Sequence, residues 1–176
     1  MKLANFLLFQ AVWFVAVGGA ARGVLWAGPV AALGFLAVHL ALVEGRNERW
    51  REARYACAVA LIGALVDSLL YRFDVTAYPT SRATWTLPFV PPWIASLWLA
   101  FALLPRFSLA WLADRPAWAS AFGAVGGPLS YWAGTRFGAV AAGESVALTF
   151  GALSLEYALV TPLLLRLAPG VGRSRR

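Results

Sequence analysis

Long apolar runs, separated only by short joints that carry arginine, leave this chain few ways to fold. The first run, residues 3–21, contains no charged side chain. A run of about 20 apolar residues is what a helix needs to cross the hydrocarbon core of a bilayer. By that measure the sequence predicts an all-α integral membrane protein, a compact bundle of six transmembrane helices at residues 3–21, 27–43, 51–71, 91–104, 116–134 and 145–167. They form a single domain over residues 1–176, and no tail or linker is long enough for a second. Composition agrees: 61% of residues are hydrophobic and 13% charged, whereas soluble domains carry about 25% charged. Nine Trp and five Tyr supply amphipathic rings suited to headgroup level.

The formal charge of +7 does not indicate nucleic acid, because the basic residues flank apolar runs instead of gathering in a polar domain. Lys2, Arg46, Arg49, Arg51, Arg54, Arg106, Arg115, Arg166, Arg173, Arg175 and Arg176 fall on one side of a six-span arrangement. Arg22, Arg72, Arg82 and Arg136 fall on the other. The positive-inside rule then places both termini in the cytoplasm. Lys2, an apolar core and the small residues at 18–21 resemble a signal peptide, but Asn5 and Gln10 interrupt the apolar region, so a retained first helix is expected. Cys57 stands alone, which excludes an internal disulfide and any cysteine-based metal motif.

Polar groups inside the runs are the candidate functional residues. Residues 63–72 read GALVDSLLYR, and an aspartate at a helix centre costs roughly 2.5–3.5 kcal/mol on insertion scales. Gly63, Asp67 and Tyr71 are spaced i, i+4, i+8 and share a face, where the glycine admits a neighbouring backbone. Asp67 lies near the outer end of its helix, with Ser68 beside it. At that depth Arg22, Arg136 and Arg72 are its expected partners, either as a structural clamp or as an anchor for a headgroup or ion. Between the third and fourth helices, residues 73–90 carry Tyr78 and Trp85, which either rest at the interface or fold over the mouth of the bundle.

The fifth helix aligns Gly123, Gly127 and Tyr131 on one stripe. Pro128, after Gly126 and Gly127, removes a hydrogen bond and predicts a kink or a local opening. The freed carbonyl is that of Ala124, to be satisfied by Ser130 or by a neighbouring helix. Glu156, about midway along the sixth helix, is expected to bond Gln10 or a serine, or else to carry protons in a cavity. His39 is either a hydrogen-bonded core residue or a member of a relay. There is no HExxH, GxSxG or phosphate-binding loop, and no metal or cofactor is expected.

Four pieces, NFLLFQAVWF at 5–14, GALVDSLLY at 63–71, PPWIASLWLAFA at 91–102 and GAVGGPLSYWAG at 123–134, resemble in sequence and order the bacterial membrane proteins grouped as DUF2878, a domain of unknown function. The resemblance implies a compact multi-helix protein of the bacterial inner membrane with no established activity. It also implies an association with lipid-modifying enzymes of the cyclopropane-fatty-acid-synthase type. Three functions stay open at this level. A lipid-linked accessory or lipid-binding protein, favoured by that association, requires an apolar groove opening sideways beneath the Asp67/Arg136 region. A small transporter using Pro128 and Glu156 requires a polar cavity reaching mid-membrane. An intramembrane enzyme requires Asp67, Ser68, Tyr131 or His39 to converge on a pocket.

Overall fold

The computed structural model describes residues 1–79, 85 and 87–171. These form helices α1 (Lys2–Ala20), α2 (Ala27–Ala41), α3 (Arg46–Arg72), α4 (Pro92–Phe101), α5 (Pro116–Phe137) and α6 (Val146–Leu167), with a single 3₁₀ turn at Ala110–Leu112. Strands β1 (Thr76–Ala77) and β2 (Ala141–Ala142) pair antiparallel and tie the loop after α3 to the loop before α6.

The expected bundle of six membrane-crossing helices is not what forms. Among the described residues, only α1, α3 and α6 are both long and apolar enough to cross a membrane. Helices α2 and α4 have 15 and 10 residues, well short of the roughly 20 that a span needs. The 22 residues of α5 would suffice in length, but its glycines, serines and terminal arginine keep it below the apolarity of those three. The even count of spans that put both termini on the cytoplasmic side is lost with it. Of the basic residues behind that orientation, Arg82, Arg173, Arg175 and Arg176 lie outside the described residues. Membrane association itself is plain on the surface. Leu61, Ile62, Leu155 and Leu159 are each more than 60% exposed, an apolar outer face that water does not tolerate over large areas.

Local chemistry sets the ends of each helix. Gly45 at φ +83° permits the turn that starts α3 at Arg46, five residues earlier than the hydropathy suggests. The added turn is polar and carries an Arg51–Glu48 pair at 2.9 Å. Pro92 opens α4, and residues 102–104 leave the helix in tight turns. Gly138, left-handed at φ +78°, closes α5. The Ser145 hydroxyl caps α6 by accepting from the Leu148 N–H at 3.3 Å.

The shortest helix is the centre of the fold. In α4, Trp93, Ile94, Trp98, Leu99 and Ala100 are buried, packed among α1, α2 and α3. A side chain at Gly63 would run into the Trp98 ring, so the glycine of α3 is what admits that indole. Tyr78, from the loop beyond α3, is 1% exposed and meets Trp93 edge-on, so it seals the core instead of resting at the interface. Helices α5 and α6 pack as a separate pair, and any side chain at Gly123 or Gly127 would strike Tyr157. The two groups meet through the β1–β2 pair, a Trp98–Tyr157 stack and a Tyr55 hydroxyl donating to the Leu164 carbonyl at 2.8 Å. Helices α1 and α5 scarcely touch, and a cleft remains between them.

Candidate functional site

Asp67 is fully buried and lies at the floor of that cleft. Its Oδ2 accepts from the Trp98 indole Nε1 at 2.6 Å, and its Oδ1 accepts from the Tyr131 hydroxyl at 2.5 Å. The carboxylate thus joins α3, α4 and α5. Two donors on two oxygens satisfy a buried carboxylate without a cation, because hydrogen bonds to a charged acceptor are the strong ones. The expected arginine partner is absent: Asp67 makes no ion pair among the described residues. Arg22 turns back to the Gly18 carbonyl at 2.8 Å, and Arg136 lies over the Trp132 ring at 5.2 Å. Both are exposed, as is Arg72, so water already solvates what an Asp67 pair would have had to desolvate.

The cleft has a volume of about 400 Å³, within the range of small-molecule sites. Its walls are aromatic and aliphatic: Phe6, Phe9, Trp13 and Phe14 from α1, Trp93, Leu97, Trp98 and Phe101 from α4, Phe122 and Leu129 from α5. The Trp13 indole donates to the Ser130 hydroxyl at 2.7 Å and bridges the two walls at one level. Away from that bridge the rim is open, with Phe6 and Phe122 each 42% exposed. Gly126 and Gly127 line the cleft, as does Gln10, whose amide has no hydrogen-bond partner among the described residues. Thr161 of α6 also lines it, and its buried hydroxyl has no hydrogen-bond partner among the described residues. Burial holds the nearby Tyr78 phenol well above its ordinary pKa, with the Asp67 charge adding to the effect, so it is a neutral donor at any physiological pH.

The remaining expected residues go elsewhere. Helix α5 runs on through Pro128 without a break. The carbonyl that the proline leaves free, Ala124, accepts from Ser154 of α6 at 2.8 Å, so a neighbouring helix and not Ser130 satisfies it. Ser68 donates to the Ala64 carbonyl at 2.5 Å and accepts from the Val90 N–H at 3.1 Å, anchoring the chain that leads into α4. Glu156 does not reach Gln10, and neither of its buried carboxyl oxygens has a hydrogen-bond partner among the described residues. Asn5 donates to the Leu103 carbonyl at 3.2 Å and accepts from Ser108.

His39 sits at the other end of the molecule. Its Nε2 is 3.3 Å from Glu52 Oε2, while Glu52 Oε1 accepts from Arg106 at 2.5 Å. Glu52 and His39 are each 1% exposed, and this buried cluster pins α2 and α3 to the turns after α4. Sequence reasoning passed over Glu52, Arg106, Trp98, Trp13 and Ser154. For Glu52 a signal exists: Glu52, Ala56, Val59, Gly63 and Asp67 are all buried on one helical face of α3, so the register that singles out Asp67 also leads to Glu52. No group of three metal-ligating side chains occurs among the described residues.

The family model described as protein of unknown function (DUF2878) matches residues 2–163, and the chain belongs to that family. No curated protein and no solved structure matches it.

Proposed function

We propose that this protein binds a membrane lipid, whose hydrocarbon chain occupies the cleft between α1 and α5. The observation that carries the reading is the cleft's form: an apolar, aromatic-walled slot with an exposed rim, closed at its floor by the Trp98–Asp67–Tyr131 bonds. The outer faces of α3 and α6 are apolar as well, which favours hydrocarbon and not water as the source of the occupant. A transporter built on a proline break has less support, since α5 is continuous and Ser154 bonds the freed carbonyl. An enzyme around Asp67 also has less, because Ser68 is committed to backbone partners and His39 to a distant cluster.

A cleft-filling variant provides the test. A Cβ at Gly126, which lines the cleft, would meet only the Phe122 ring, at 4.0 Å, so this is the position at which to introduce leucine. The same change raises helix propensity by up to about 1 kcal/mol. Delipidated wild-type protein in detergent should gain thermal stability when lipid extract is added, by about 2.7 kcal/mol at a hundredfold excess over Kd. Gly126→Leu should start more stable and gain nothing further. Equal stabilisation of both proteins contradicts binding in this cleft.

A further inference from the structure

Resting on that lipid-binding reading, we infer that the occupant's buried polar group is uncharged: the ligand is a hydrocarbon chain bearing a hydroxyl or an ester carbonyl, not a phosphate or an amine. Among the described residues no lysine, arginine or histidine lines the cleft, and its one carboxylic acid is Asp67. A buried phosphate would therefore face a carboxylate with no cation to neutralise it, and burying an unpaired charge is strongly unfavourable. An ammonium group fares little better, because Asp67 is 0% exposed and held by Trp98 and Tyr131, so an amine in the cleft meets no accessible counter-charge.

What the cleft does offer is neutral. Thr161 is 1% exposed and its hydroxyl has no hydrogen-bond partner among the described residues, whereas buried polar groups of this kind are ordinarily satisfied. Gln10, on the facing wall, presents an amide that can both donate and accept. A hydroxyl or ester oxygen held in the cleft satisfies the Thr161 donor at no electrostatic cost. Its hydrocarbon lies against Phe9, Trp13, Trp98 and Phe101.

Trp13, Trp93 and Trp98 line the cleft, so quenching of tryptophan emission by chain-brominated probes reports occupancy. Four probes of matched chain length are titrated into the purified full-length protein at pH 7.5: a long-chain alcohol, a diacylglycerol, an alkyl phosphate and an alkylammonium. The alcohol or the diacylglycerol should bind at least about tenfold more tightly than either charged probe. Their order relative to each other separates a hydroxyl ligand from an ester ligand, and either order supports the inference. Thr161→Val, which keeps the side chain's shape, should weaken the better neutral probe about fivefold and leave the charged probes unchanged. A charged probe that binds as tightly as the neutral ones, with binding abolished in Gly126→Leu, overturns the uncharged ligand while leaving lipid binding intact. Quenching by every probe that is indifferent to Gly126→Leu overturns lipid binding in the cleft itself. The wild-type ranking decides the matter of charge even where a variant folds poorly.

Discussion

Asp67 provides the sharpest energetic prediction. Replacing it with alanine removes two hydrogen bonds, from Trp98 Nε1 at 2.6 Å and from the Tyr131 hydroxyl at 2.5 Å, and leaves both donors buried. An orphaned buried donor costs about 1–3 kcal/mol, so Asp67→Ala, which orphans two, should destabilise the fold by about 2–6 kcal/mol. Relief from burying a carboxylate pulls the net value toward the lower end of that range. Tyr131→Phe removes one donor to a charged acceptor and should cost about 1.5–3 kcal/mol. In the double variant the Tyr131 donor no longer exists to be orphaned. The two effects should therefore fall short of additivity by about 1–3 kcal/mol. Parallel cycles with Arg22→Ala and Arg136→Ala should be additive within about 0.5 kcal/mol, since neither arginine shares a partner with Asp67. The assay is unfolding in detergent, followed by helical circular dichroism. A coupling to either arginine that exceeds the coupling to Tyr131 refutes the arrangement.

Three further outcomes follow from the packing. Gly127→Ala drives a methyl into the Tyr157 ring and should destabilise by about 1–3 kcal/mol, whereas Gly126→Ala, one residue away and unobstructed, should stabilise by about 0.5–1 kcal/mol; thermal unfolding of the pair checks this. Ser154→Ala leaves the Ala124 carbonyl without a donor and should cost about 1–3 kcal/mol, seen as a lowered unfolding temperature. Glu52→Ala strips His39 and Arg106 of their shared acceptor and should cost about 3–5 kcal/mol, with earlier proteolysis at the turns after α4 as a local readout.

Some of this was legible in the sequence and some was not, for physical reasons. The stripe Gly63–Asp67 and the stripe Gly123–Gly127–Tyr131 follow from helical spacing, and each gives a face. Spacing cannot say which faces meet. That Asp67 turns to Tyr131 and Trp98 depends on how α4 and α5 pack against α3, which no local pattern encodes. The number of membrane-crossing helices misleads for a related reason. Residues 91–104 are as apolar as any span, but hydropathy does not distinguish a side chain facing lipid from one facing protein. Trp93, Ile94, Trp98 and Leu99 face protein on a helix of only 10 residues. Arginine pairing with Asp67 was the natural expectation from charge alone. Indole and phenol donors already buried beside it meet the same need without desolvating a guanidinium. Pro128 signals a missing hydrogen bond, and only the packing of α6 shows that Ser154 replaces it.

Native mass spectrometry of the full-length protein, wild type beside Gly126→Leu, tests the lipid-binding cleft most directly. Wild-type protein released from its micelle should carry one lipid adduct. Gly126→Leu, with unchanged helix content, should appear at the mass of the bare chain. Wild-type protein that emerges folded and bare, or an adduct retained equally by both, contradicts it.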